Sequence, residues 1–195
     1  VHLSKTTSNH KEFLMDKSIY IAASSQHVGK TTMTLGLLAA LKKRQLNVGY
    51  SKPLGQQYIE VNGKRVDKDA VLFADCMKFD LDPAIHSPVI LGPGDTAEYI
   101  ENPKPGLFIK KILRAAVILH ERHEIVLYEG TGHPGVGSVV DLSNAEVAKQ
   151  LKTDVILVLE GGIGNTLDRL AVCQAIFKLS GVKIAGVIIN KVHRN

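Results

Sequence analysis

The chain has 195 residues, 45% of them hydrophobic and 22% charged, with a net charge of +5 and no tryptophan. That length suits one α/β domain with at most a short extension, and no run of about 18 apolar residues marks a membrane span. The basic residues are scattered rather than gathered in a stripe, and the aromatics are few, so neither a duplex-binding surface nor a single-strand stacking platform is expected.

In chain order, residues 1–14 (VHLSKTTSNHKEFL) are polar, unpatterned and without the apolar core of a signal peptide. They read as a disordered extension or an expression artefact, ahead of one domain over 15–195. The apolar run Ile19-Tyr20-Ile21-Ala22-Ala23 predicts a strand, and the spacing of Met33, Leu35, Leu37, Leu38 and Leu41 predicts a helix over 30–44. A second strand over 47–51 ends at Lys52-Pro53, and a hairpin over 58–66 turns at Asn62-Gly63, a favoured two-residue turn. Helical spacing returns over 67–79. A short strand or loop at 88–91 leads into a Pro/Gly-rich connection to Pro105. A long amphipathic helix over 106–123 precedes a buried strand over 124–128 and a glycine-rich loop over 130–140. Ser143 and Glu146 form a capping box for the next helix. Strand 155–159, loop 161–165, helix 166–179 and strand 183–189 complete the chain. Continuous Val/Ile/Leu strands alternating with helices predict an α/β fold, a mostly parallel sheet covered by helices on both faces. Cys76 and Cys173 lie far apart within amphipathic helices and read as reduced core thiols of a cytoplasmic protein.

The richest segment is Ser24-Ser25-Gln26-His27-Val28-Gly29-Lys30-Thr31-Thr32 between the first strand and helix. Strand, tight loop ending Gly-Lys-Thr, and helix form a phosphate-binding arrangement: the loop amides and the positive helix end converge on an anion. Lys30 can reach β- and γ-phosphates and Thr31 can ligand Mg²⁺. Gln26, His27, Val28, Gly29, Lys30, Thr31 and Thr32 are the nucleotide-contacting candidates. Ser24 stands where the consensus loop begins with glycine.

Ligands of open α/β sheets bind beyond the carboxyl ends of the strands, and several strands here end in polar residues. Glu129, at the end of Ile-Val-Leu-Tyr, is costly to desolvate unless hydrated, paired or metal-bound, so it reads as a Mg²⁺ ligand or a salt-bridged rim acid. Lys52 reads as a phosphate-site lysine or a solvated strand end. Asn190 reads as a turn former or a reader of a purine edge. Asp67 and Asp69 open a helix, where carboxylates serve as caps. His133 sits in the glycine-rich loop and reads as a loop hydrogen-bonder. The eight histidines form no metal-ligand pattern.

Together Val28-Gly29-Lys30-Thr31-Thr32, Gly49-Tyr50-Ser51-Lys52-Pro53, Asp67-Lys68-Asp69-Ala70, Tyr128-Glu129-Gly130-Thr131-Gly132 and Gly186-Val187-Ile188-Ile189-Asn190-Lys191 resemble the dethiobiotin synthetase-like P-loop family. That family includes dethiobiotin synthetase, the ATP-binding part of cobyrinic acid a,c-diamide synthase, and the N-terminal domain of long phosphotransacetylases. The resemblance implies a three-layer P-loop NTPase fold and a Mg²⁺–ATP site. Lys30 and Thr31 would hold the nucleotide, Thr31, Asp69 and Glu129 the metal, and Asn190 the adenine, with Lys52 at the carboxylate or carbamate end of the substrate. It implies a cytoplasmic ligase or synthase that activates a carboxylate or carbamate by phosphoryl transfer, working as a homodimer. It also leaves open a nucleotide-sensing module without catalysis, with a regulatory or amidotransferase domain downstream. The chain departs from dethiobiotin synthetase at Ser25 and His27, where acids stand in that enzyme. Its Gly130–Ser138 loop is closer to phosphotransacetylase-type domains. A partitioning-type ATPase would carry a lysine early in the loop, where this chain has Ser25.

Overall fold

A computed structural model describes residues 17–192; the extension expected over 1–14 lies outside the described residues. Five strands form the central sheet in the order β2-β7-β1-β8-β9, all parallel: β1 Ser18–Ala23, β2 Val48–Ser51, β7 Ile125–Glu129, β8 Asp154–Glu160 and β9 Ile184–Asn190. Two small pairs lie apart from it. β3 Leu54–Gly55 runs parallel to β6 Val89–Ile90, and β4 Tyr58–Val61 folds back on β5 Lys64–Asp67. The hairpin turns at Asn62 and Gly63, both with positive φ, as the Asn-Gly pair requires.

The inner strands β1, β7 and β8 bury both of their faces, whereas the edge strand β9 leaves one side open. Tyr20 and Ala22 of β1, with Val126 and Tyr128 of β7 and Leu157 and Leu159 of β8, face one layer. That layer is built by α5 Leu107–Arg122, α6 Asn144–Gln150 and α7 Ile163–Leu179. The alternate residues Ile21, Ala23 and Val158, with Leu127 beside them, face α1 Lys30–Lys43 and α2 Lys68–Met77. Period-two alternation with both sets apolar is what a sheet sandwiched between helices demands. This is the expected three-layer α/β arrangement. Because β1 sits between β7 and β8, the connection from β1 to β2 leaves to one side and that from β7 to β8 crosses to the other. The carboxyl end of β1 is therefore a topological switch point, where a crevice opens.

Three elements differ from expectation. The Pro/Gly-rich connection contains a helix, α4 Asp95–Glu101, entered through Gly94 in a left-handed conformation and anchored by buried Tyr99 against the ring of Phe108. The four-residue α3 Pro83–His86 follows the Asp82 cap, and α7 begins at Ile163, inside the expected loop over 161–165. Cys173 is buried, as expected, but Cys76 is exposed. The buried stripe of α2 is Ala70, Phe73 and Ala74, and Cys76 falls off that spacing onto the solvent face.

Candidate functional site

Ser24 leaves β1 with its amide donating to the Val158 carbonyl of β8 at 3.0 Å, and the loop then arches over the sheet edge to α1. Gly29, the N-cap of α1, has φ 94, and no side chain caps the helix. A Cβ there would also press on the Asn190 amide and displace it, so the positive φ is the main reason for glycine. The first-turn amides of α1 consequently remain aimed at the crevice, as an anion site needs. His27 is held at φ 62, a conformation that costs a non-glycine residue about 1 kcal/mol. Two side chains from the end of β9 clasp this loop from behind. Asn190 Nδ2 donates to the Val28 carbonyl at 2.9 Å, and Lys191 Nζ donates to the His27 carbonyl at 2.7 Å while pairing with Glu160.

The loop forms one wall of a cleft of about 330 Å³. Gln26, His27, Gly29, Lys30 and Thr31 line that wall, and Lys52 and Asp69 line the opposite one. Glu129 lies fully buried beneath Lys30 and Thr31. Its Oε1 accepts from both Lys30 Nζ at 2.7 Å and Thr31 Oγ1 at 2.8 Å, and its Oε2 accepts from the Tyr50 hydroxyl at 3.1 Å. Burial, reinforced by the Glu129 carboxylate, pushes the Tyr50 hydroxyl well above its ordinary pKa, so it stays a donor. Lys52 Nζ bonds Asp69 Oδ2 closely and lies 3.1 Å from Asp67 Oδ1. Burial of Lys52 acts to lower its pKa, but the carboxylates of Glu129, Asp67 and Asp69 together outweigh it and hold the ammonium charged.

Of the residues expected at the site, the structure brings Gln26, His27, Gly29, Lys30, Thr31, Lys52, Asp69 and Glu129 to this one cleft. Val28 turns its side chain into the core beside Ile21 and Ala23, and offers the site only its backbone. Thr32 is exposed on α1, and Asn190 stands behind the loop as its clasp rather than on the cleft wall. Asp67 does cap α2, accepting from the Asp69 amide at 2.9 Å, yet it also pairs with Lys52. That second role, like those of Tyr50 and Lys191, carried no local signal.

The glycine-rich loop after β7 is ordered by one residue. Asn144, the first residue of α6, accepts from the Tyr20 hydroxyl and the Thr131 amide, and donates to the carbonyls of Thr131 and His133. All of its hydrogen-bonding capacity faces inward. Thr131 in turn donates its hydroxyl to the Leu54 carbonyl, tying the loop to the Lys52 side of the cleft. His133 is exposed, its ring accepting from the Gly135 amide, the loop hydrogen bond expected of it. Ser143 caps α6 by accepting from the Glu146 amide at 3.1 Å.

A parallel sheet with a Gly-Lys-Thr loop at its switch point, a helix N-terminus behind it and a buried acid beneath it defines a P-loop NTPase. The family model described as "AAA domain" matches residues 17–195, and the chain belongs to that family, within its dethiobiotin synthetase-like P-loop group. The chain is 28% identical over 192 residues to the ATP-dependent dethiobiotin synthetase BioD of Clostridium kluyveri, covering 93% of this chain and 77% of that one. It is 27% identical over 177 residues to the enzyme of the same name from Nitrosopumilus maritimus, covering 89% and 76%. Among solved structures, the BceF tyrosine kinase domain superposes with a TM-score of 0.53 at 17% identity, over 95% of this chain and 74% of that one; at that identity the likeness concerns the fold. No helix among the described residues is long and apolar enough to cross a membrane.

Proposed function

We propose that the cleft binds Mg²⁺–ATP and that the protein uses the γ-phosphate to activate a carboxylate or carbamate for attack by an amine, in the manner of a C–N ligase. The observation that carries this reading is the meeting of the half-buried Lys30 and Thr31 on one oxygen of the buried Glu129, with a buried lysine, Lys52, at the same cleft. The donors suit Mg²⁺, which takes one or two carboxylates, a hydroxyl and phosphate oxygens. Among the described residues no three acids, histidines or cysteines converge as a ready-made metal cage. A hydroxyl and one or two carboxylates completed by the nucleotide need no such cage. Thr31, Glu129 and Asp69 would hold the ion, which when bound neutralises charge on the phosphoryl group.

Lys30 and the first-turn amides of α1 would then bind the β- and γ-phosphates, with Gln26, His27, Gly29 and Thr32 completing the cradle. Asn190 has an unused amide oxygen with which to meet an adenine amine. Lys52 would orient the acceptor carboxylate and stabilise charge on the transferring group. The acceptor oxygen takes the phosphoryl group as ADP leaves; an amine then attacks the resulting mixed anhydride and expels phosphate.

Mg²⁺–ATP should raise the melting temperature of the wild-type protein and leave that of Lys30→Ala unchanged. A wild-type protein that shows no shift would remove the nucleotide reading. Phosphate release with a panel of acids and amines should require Lys52. Binding without release under any combination would instead favour the nucleotide-sensing module, to which the departures at Ser25 and His27 also point. A homodimer is part of the same proposal. Ile163, 90% exposed, and Leu167 on α7, with Val187 and Ile189 on the edge strand β9, leave apolar surface for a second copy. Light scattering at the monomer mass would count against it.

A further inference from the structure

Three lysines and three carboxylates gather at the cleft; Lys68 is exposed, whereas the two inner lysines are already paired, Lys30 with Glu129 and Lys52 with Asp69 and Asp67. Formal charges at the cleft balance, so no inner lysine is left over for an incoming anion. A phosphate-bearing ligand arriving without a cation therefore finds both inner lysines occupied by carboxylates. The acids of the Lys52 wall are not equivalent. Asp69 has a side chain 28% exposed and one oxygen on Lys52. Asp67 is sealed in, its Oδ1 shared between the Asp69 amide and Lys52. Its Oδ2, buried and without a partner, lies against Gly55, where a Cβ would come within 2.5 Å of it. Asp67 is thus fixed as the cap of α2, whereas Asp69 has room to turn towards the cleft.

We propose that Lys52 occupies, at Asp69, the place of a divalent cation, so that Asp69 exchanges Lys52 for the cation while Asp67 keeps the ammonium tethered in the cleft for an anionic substrate. Asp67 is on this account a positioning residue acting through Lys52. The exchange makes cation and anion binding mutually reinforcing: a cation on Asp69 releases a lysine charge for the anion, and the anion by linkage strengthens the cation. It also gives the spare lone pairs of Asp67 Oδ2 a use, as capacity to take a further hydrogen bond from Lys52 once Asp69 has let it go. The inference rests on the reading of Asp69 as a cation ligand.

The test needs no nucleotide and no turnover. Wild-type protein is treated with acetic anhydride with and without Mg²⁺, and each lysine is quantified by mass spectrometry. Mg²⁺ is expected to raise acetylation of Lys52 several-fold and to change exposed Lys68, on the same cleft, little. In Asp67→Asn, which keeps a capping side chain, the Mg²⁺-dependent rise at Lys52 should be larger still, because the tether is gone. Mn²⁺ titrated calorimetrically should bind Lys52→Met on the order of tenfold more tightly than wild type, the scale of one charge-assisted bond no longer to be broken. Lys68→Met should move it much less. Lys52 equally protected with and without Mg²⁺, an Asp67→Asn response matching wild type, or equal Mn²⁺ gains in the two lysine variants would each overturn the exchange. Because the Lys30-dependent shift with Mg²⁺–ATP is measured separately, its survival assigns any such failure to this inference alone.

Discussion

The two walls of the cleft are made from different kinds of chain. The P-loop wall is continuous from Ser24 to Thr31, and its conformation follows from a strand end, a left-handed glycine and a helix start. The Lys52 wall is gathered from the end of β2, the end of β5, the first turn of α2 and the carbonyl of His86 in α3, which accepts from the Lys52 amide at 2.9 Å. One wall needs a single distant acid to steady its lysine, whereas the other needs two. A lysine on a helix N-terminus has the loop to hold it in register. A lysine on a short strand end is held by its counter-ions and by two bonds to α3, its own amide to the His86 carbonyl and the Ser51 hydroxyl to the Ile85 carbonyl.

The largest effect should come from removing the acid that joins the walls. Glu129→Ala leaves Lys30 and the Tyr50 hydroxyl buried without their partner, and should lower unfolding free energy in urea by about 3 kcal/mol. A loss below about 1 kcal/mol would mean that the P-loop wall stands by itself. Asn144→Ala comes next, at about 2–3 kcal/mol, since it strips the clasp of four hydrogen bonds through which Thr131 reaches the Lys52 wall. Hydrogen exchange should rise around Leu54 more than around Gly29.

Asp67 sharpens the contrast on a smaller scale. Asp67→Ala removes a cap and one anchor of Lys52 and should cost about 2 kcal/mol. Asp67→Asn keeps the cap and should cost less than about 1 kcal/mol in the same urea titration. Equal losses would place the whole effect in the ion pair. The smallest effect is a pH dependence to which the Lys52 wall contributes through His86. Burial holds His86 below the ordinary histidine pKa of 6.5. The unfolded chain therefore takes up the proton first, and the stability due to neutral His86 is present above 6.5 and lost as pH falls below it. Melting temperature should decline on acidification, less steeply in His86→Phe and with unchanged slope in Lys30→Ala. His120 and His123, also lowered by burial, account for the slope that His86→Phe leaves.

How much of this was legible in the sequence depended on the reach of each interaction. The strand–loop–helix over 19–44, the Asn62-Gly63 turn and the Ser143 cap were all readable, although Glu146 turns to Gln150 and Lys149 instead of closing the capping box. Each is decided by dihedral preferences and hydrogen bonds spanning a few residues. Period-two and helical spacing likewise announced a parallel sheet between helices, and the polar strand ends pointed to Lys52 and Glu129, whereas Asp69 came only from the family resemblance. Short helices were missed where packing, not propensity, forms them: α4 exists because Tyr99 finds Phe108, and the exposure of Cys76 depends on which stripe of α2 meets β2.

Only the tertiary structure decided who touches whom. Lys30 and Glu129 are 99 residues apart, Tyr50 and Glu129 are 79, and Tyr20 and Asn144 are 124. The strand order that sets β7 beside β1 makes these contacts, and no local pattern records it. Charge pairing across the cleft, the second role of Asp67 and the clasp of Asn190 and Lys191 on the loop all belong to that long-range arrangement. A residue type in the right place announces a chemistry, but its partners are fixed by the packing of strands and helices far apart in the chain.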